Sequence, residues 1–342
     1  MALNKAIKPR AKTFAIGDVH GCARELAELL ARLPIEPDTT VVFLGDYIDR
    51  GPDSRSVVEQ ILSLRSRCQV IALKGNHEDL LLDFLDSPES LGAAQFIFNG
   101  GTETLASYSD GSGGFAIPEA HQRYFRELPV CWEDELRFYV HAGVPDGALA
   151  TLDRAENAEL MLWVRSSFLN SDYLWEKMVI HGHTPTTEPE IRRNRVNVDT
   201  GCVYGGRLTA VDVDTMEFIS VKSSGRAAPS TSGMGADLRS APRYKGSAPV
   251  FVVLGGRARE FEMLNYNEHG LLIQSRDSTS DSALSLGERL IGWIEGRNMR
   301  IEFEGIVART EKRGNLSLFG VRLEKTKTSA EARTLATKSR KA

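Results

Sequence analysis

Between residues 12 and 75 two apolar patterns alternate along the chain. The β-type runs TFAI (13–16), TVVFL (40–44) and VIAL (70–73) are separated by stretches with apolar residues at helical spacing. These are Leu26, Leu29, Leu30 and Leu33, then Val57, Val58, Ile61 and Leu64. Such alternation predicts βαβ units. Further strand-like runs, RFYV (137–140), KMVI (177–180), RVNV (195–198) and RLTAVDVD (207–214), extend the sheet. The pattern changes after SSGRAAPSTSGMGAD (223–237), which offers almost nothing that could build a core and reads as a linker. Beyond it, APVFVVLG, EFEMLNY, HGLLIQS, ERLIGWIEG, MRIEFEGIVAR and LFGVRLE are short strands separated by Gly, Asn and Asp, the pattern of a small β-barrel.

The resulting division is residues 1–220 as an α/β domain, 221–237 as a linker, 238–325 as the barrel and 326–342 as a basic, disordered tail. At 342 residues, 42% of them hydrophobic, there is enough chain for two domains with separate cores. A formal net charge of -4 argues against a nucleic-acid partner for the whole chain, the tail excepted. Cys22, Cys68, Cys131 and Cys202 form no C-x-x-C pair, the first residues lack the apolar core of a signal peptide, and no apolar run is long enough for a membrane span. The expected setting is a reducing cytoplasm.

Five polar clusters stand directly after the strand-like runs: GDVHG (17–21), GDYIDRG (45–51), GNHE (75–78), HAG (141–143) and HGHTP (181–185). Ligands in open α/β folds bind outside the carboxyl ends of strands, so these loops would converge at one edge. They carry Asp18, His20, Asp46, Asp49, Arg50, Asn76, His77, His141, His181 and His183. Carboxylate, amide oxygen and imidazole without thiolate suit Mn, Fe or Zn. Alone, a Gly-Asp turn is only a turn, and a strand-end histidine is more often a hydrogen-bonded structural residue. Here 23 residues separate the first cluster from the second and another 23 the second from the third, the length of a helical crossover between parallel strands. That regularity favours a metal site.

The ordered set resembles the calcineurin-like metallophosphoesterases, specifically the bacterial branch of the phosphoprotein phosphatases that includes relatives of diadenosine tetraphosphatases. FNGGTETLASY (98–108) and NVDTGCVYGGRLTAVD (197–212) are similar to the same branch. The resemblance implies a sandwich of two mixed sheets flanked by helices, with two divalent metals, Mn foremost and Fe or Zn as alternatives. Asp18 and His20 would hold the first metal, Asp46 would bridge, and Asn76, His141 and His183 would hold the second. His181 precedes the family's glycine and is expected to be a strand-end residue beside the site. His77 would be the general acid, oriented by Asp49, and Arg50 and Arg165 would clamp the substrate phosphate.

After the linker, Arg239 and Arg243 stand in an R-x-x-x-R pattern and NYNEHG (265–270) follows. The pair resembles the signature of the PilZ domain, a β-barrel that binds cyclic di-GMP, with Arg239, Arg243, Asn265, Asn267 and Gly270 at the nucleotide. Asn267 departs from the family's serine at that place. The resemblance implies a metal-dependent hydrolase of phosphomonoesters, a serine/threonine-type protein phosphatase first, under cyclic di-GMP control. The alternatives are a dinucleoside polyphosphate hydrolase and, from another class, a cyclic di-GMP receptor whose phosphatase half is a silent scaffold. The intact set of six metal-site residues speaks against the last.

Overall fold

A computed structural model describes residues 12–88, 90–111, 114–225, 244–245, 248–267, 269–275, 284–295, 300–313 and 316–329. Arg239 and Arg243, and the chain beyond residue 329, lie outside these described residues. The chain divides into two compact units, Met1–Asn76 with Ile117–Arg226, and His77–Ala116 with Ala227–Ala342.

The first unit contains strands β1 (Thr13–Ile16), β2 (Thr40–Phe43), β3 (Gln69–Ala72), β4 (Cys131–Glu133), β5 (Arg137–Val140), β6 (Met178–His181), β7 (Glu190–Ile191), β8 (Arg195–Asn197), β9 (Arg207–Asp212) and β10 (Glu217–Lys222). They form two mixed sheets, in the orders β10-β9-β1-β2-β3 and β4-β5-β6-β8-β7. Strands β1, β2 and β3 are parallel, joined by helices α1 (Ala23–Arg32) and α2 (Ser54–Leu64), while β9 and β10 run antiparallel. In the other sheet β5, β6 and β8 are parallel and β4 and β7 antiparallel.

The runs that read as strands are apolar on both faces because both faces are covered. Ala15, Val42, Leu44 and Leu73 of one sheet share a core with Tyr139, Ile180, Val196 and Val198 of the other. On the second sheet's other face, Phe138, Val140 and Val179 pack with Met161 and Phe168 of helices α7 (Ala158–Trp163) and α8 (Ser166–Leu169) and with Trp175. Strand structure runs to Lys222, two residues past the expected domain end at 220.

The second unit combines a helical segment with the barrel. Helix α3 (Asn76–Asp86) crosses into it at His77, and α4 (Leu91–Phe96) and α5 (Thr102–Ser107) follow, joined by a wide turn at Ile97–Gly101 in which Gly100 has φ 96°. The barrel strands are β11 (Tyr244–Lys245), β12 (Pro249–Leu254), β13 (Arg257–Asn267), β14 (Gly270–Ser275), β15 (Arg289–Glu295), β16 (Arg300–Arg313) and β17 (Leu316–Ser329). Antiparallel pairing runs β12-β13-β14-β17-β16-β15 and returns to β12, closing six strands with no free edge between them; β11 pairs with β13. Val250, Phe261, Ile273, Ile294, Phe303 and Phe319 fill the interior. Phe98 and Tyr266 bring the helical segment against the barrel, with ring centroids 5.6 Å apart. Strand β17 continues past 325, where the sequence suggested that the tail begins. Among the described residues no helix is long and apolar enough to cross a membrane.

Candidate metal centre

The loops after β1, β2, β3, β5 and β6 carry the polar clusters, and strain marks them. Among the described residues the non-glycine positions with positive φ are His20, Asp46, Asp49, Arg50, His183 and Met216. Five of these six were nominated from the sequence. Left-handed backbone is costly for such residues and persists where the surrounding structure fixes it, which functional sites do. Gly45 and Gly182 show how tightly the loops meet. At Gly45 (φ 102°) a Cβ would lie 2.6 Å from the Gly75 nitrogen and 2.9 Å from His141 Nδ1, and at Gly182 one would lie 2.3 Å from Asp18 Oδ1.

Asp18, His20, Asp46, Asn76, His141 and His183 are all buried, none more than 5% exposed. His141 donates from Nδ1 to the Leu44 carbonyl at 2.8 Å, which leaves the lone pair of Nε2 facing the loops. Around it stand Asn76 Oδ1 at 2.9 Å, His183 Nδ1 at 3.1 Å and Asp46 Oδ1 at 3.4 Å. His20 repeats the arrangement: Nδ1 donates to the Ile48 carbonyl at 2.8 Å, and Nε2 lies 3.4 Å from Asp46 Oδ2. Asp46 thus presents one oxygen to each imidazole, and Asp46, His141 and His183 form a buried group able to hold an ion. Acceptors converging in a buried space repel unless a cation lies among them, so this donor set fits divalent metals. The backbone carbonyl bonds fix the tautomers of His20 and His141, as ligand histidines require.

Electrostatics agree. Desolvation, then the neighbouring charges of Asp199 and Asp46, raise the pKa of Asp18, although the His183 N–H that it accepts at 3.1 Å opposes this. Asp199, buried beside it, is raised to about 6, first by desolvation. Burial holds His20 and His183 well below the ordinary histidine value and His141 down to about 3, leaving them neutral and able to ligate.

Two predictions follow from these contacts. Gly182→Ala forces the Asp18 carboxylate aside, so metal affinity in a calorimetric titration should fall by roughly 10–100-fold; unchanged affinity refutes the close approach. The second concerns pH. A carboxylate whose folded pKa exceeds its unfolded value stabilises the metal-free fold at low pH, and that contribution is lost as pH rises from 3.8 through about 6. Asp199 lies outside the proposed ligand set, but a divalent charge bound beside it would favour its ionised form. Affinity should therefore climb as pH rises through about 6, with protons released on binding at pH 6, read from titrations in buffers of different ionisation heat.

The remaining nominated residues fall in distinct places. Arg165, just before α8, donates from Nε to His183 Nε2 at 3.1 Å, and desolvation lowers its pKa. Arg50 donates from Nη1 to His20 Nε2 at 2.6 Å, so both guanidiniums abut histidines nominated as ligands. Asp49 is fully buried, and its N–H donates to Ser54 Oγ at 3.2 Å. His77, 1% exposed, follows Asn76 at the start of α3. His181 ends β6 with its ring edge-on to Phe168 at 5.0 Å, and its Nε2 is buried with no hydrogen-bond partner among the described residues. The sequence reading passed over Asp199, although its signal was present: an acidic residue directly after a strand-like run, in the same place as Asp18 and Asp46.

In the second unit Asn265 and Asn267 end β13 and Gly270 opens β14, paired with Asn267 across the turn. Asn267 is 2% exposed; Oδ1 accepts the His269 N–H at 3.1 Å and Nδ2 has no partner among the described residues. The amide oxygen thus ties the turn together.

Comparison with known proteins agrees with this architecture. The profile of the calcineurin-like phosphoesterases matches residues 11–207, and that of the PilZ domain matches residues 237–337. The chain is 29% identical over 233 residues to the asymmetrical bis(5'-nucleosyl)-tetraphosphatase PrpE of Anoxybacillus flavithermus, covering 61% of this chain and 93% of that one. With the PrpE of Bacillus anthracis identity is 31% over 240 residues, again 61% of this chain and 93% of the other. A solved serine/threonine phosphatase from Saccharomyces cerevisiae superposes with a TM-score of 0.44 at 17% identity, over 65% of this chain and 82% of that one. The chain belongs to the calcineurin-like phosphoesterases, metal-dependent hydrolases of phosphoric esters, and carries a PilZ domain after that region.

Proposed function

We propose that the first unit hydrolyses dinucleoside polyphosphates at a two-metal centre, and that cyclic di-GMP on the PilZ domain modulates it. The observation that carries the catalytic half of this reading is Asp46, whose two oxygens each lie 3.4 Å from a different imidazole. The relatives named as tetraphosphatases, matched over 93% of their own length, support reading nucleotides first and phosphoproteins second.

Asp18 and His20 would hold one ion, Asn76, His141 and His183 the other, and Asp46 both. Ions held there would supply an activated water and a grip on a phosphoryl oxygen for in-line displacement. Arg50 and Arg165 carry charge-assisted donors matched to phosphate oxygens. Were His183 to ligate through Nδ1, its Nε2 would carry the proton and could not accept from Arg165, which would leave that guanidinium for the substrate. His77 would protonate the leaving oxygen.

The deciding experiment is a panel of diadenosine tetraphosphate against phosphoserine, phosphothreonine and phosphotyrosine peptides, with Mn²⁺, with chelator, and with or without cyclic di-GMP. Cleavage of the dinucleotide, lost in chelator, is expected. Turnover of phosphopeptides alone would move the assignment to protein phosphatase, and activity indifferent to cyclic di-GMP would remove the regulatory half.

A further inference from the structure

Tyr204 stands at the site's rim and has so far no part in the chemistry. It closes the short 3₁₀ turn Cys202–Tyr204, between Gly201 (φ 65°) and Gly205 (φ 90°), both left-handed. This is a built turn. The N–H groups of Tyr204 and Gly206 both donate to the Gly201 carbonyl at 3.0 Å, and a Cβ at Gly206 would fall 2.1 Å from the Thr200 oxygen. Tyr204 is nonetheless 62% exposed, unusual for so large a residue on so fixed a support. One contact explains its pose: the guanidinium carbon of Arg50 lies 5.7 Å from the ring centroid. Arg50 also donates to His20 Nε2 in this structure, which sets the ring's partner beside the proposed metal ligands.

A flat aromatic face held open, with a cation against it and phosphate-binding guanidiniums alongside, is the arrangement that stacks a nucleobase while its phosphates reach the ions. We propose that Tyr204 is the specificity-determining residue of this site, a platform for the base of the nucleotide whose phosphate is cleaved, braced by Arg50. The inference rests on the nucleotide reading above and deepens it. A substrate with no planar group beside its phosphate gains nothing from the ring, so the platform separates nucleotides from other phosphoric esters at a shared metal centre.

The test uses the full chain loaded with Mn²⁺, as wild type, Tyr204→Leu and Tyr204→Phe. The quantity read is kcat/KM for diadenosine tetraphosphate divided by kcat/KM for β-glycerophosphate. In Tyr204→Leu the ratio should fall by about five- to a hundredfold, chiefly through KM for the dinucleotide. Tyr204→Phe keeps the aromatic face and should stay within about twofold of wild type. A second arm needs no turnover of dinucleotide: adenosine monophosphate should inhibit β-glycerophosphate hydrolysis better than inorganic phosphate does, an advantage lost in Tyr204→Leu. An unchanged ratio in Tyr204→Leu, an equal loss in Tyr204→Phe, or no advantage of adenosine monophosphate in wild type overturns the platform. A wild-type chain that cleaves phosphopeptides but not the dinucleotide overturns the substrate reading instead, and the inhibition arm still decides the role of Tyr204.

Discussion

In the Asp46→Asn protein, Mn²⁺-dependent hydrolysis of p-nitrophenyl phosphate should fall by roughly 10³-fold or more, the loss of several kcal/mol of transition-state stabilisation. The substitution keeps the shape and replaces one carboxylate oxygen with an N–H₂ donor. Because Oδ1 faces His141 and Oδ2 faces His20, whichever way the amide turns one imidazole meets a donor where an ion should bind, and both positions lose the shared negative charge. The metal-free protein should respond in the opposite sense. Asp46 raises the pKa of both Asp18 and Asp199, so removing its charge relieves repulsion among three buried carboxylates. Thermal melting without metal should then match or exceed wild type, while the rise in melting temperature that Mn²⁺ gives the wild type disappears. Wild-type activity in Asp46→Asn, or undiminished wild-type activity after thorough removal of metal, would sink the two-metal assignment.

For His77→Asn the expected result is a loss sorted by leaving group. Turnover of an alkyl phosphate should slow by roughly 10²–10⁴-fold, the contribution of a positioned general acid. Hydrolysis of p-nitrophenyl phosphate should slow far less, because a stabilised phenolate departs with little need of a proton. His77 is buried and adjacent in the chain to Asn76, but the proposed ligand set is complete without it, so bound metal measured by elemental analysis should stay near wild type. Equal slowing of both esters would make His77 a positioning residue, and a collapse of bound metal would make it a ligand.

The strand-end clusters were legible because an α/β sheet has a fixed relation between sequence and place: an apolar run buried on both faces, then a loop at one edge. That relation located Asp18, Asp46, Asn76 and His141 without coordinates. It did not locate the contact of Tyr204 with Arg50, since neither an exposed tyrosine nor an arginine carries a periodic signal. Nor did it show that residues 77–116 group with the barrel rather than with the sheets on either side of them in sequence, because that grouping depends on contacts between residues far apart in the chain.

The two histidines of HGHTP divide what each level determines. Periodicity placed both at the end of β6, and choosing His183 over His181 took resemblance to relatives. In the structure the two differ in backbone. His181 still follows the strand and packs against Phe168, whereas His183 has left it with φ 67°, which brings Nδ1 to 3.1 Å from His141 Nε2. Sequence alone determined strands β1, β2, β3, β5, β6, β8 and β9, the barrel pattern after the linker and the residue types gathered at one edge, because burial and chain length are written in local order. Tertiary structure alone decided which atoms meet, because the left-handed turns at His20, Asp46, Asp49, Arg50 and His183 are held by neighbouring loops and not by the preferences of the residues themselves.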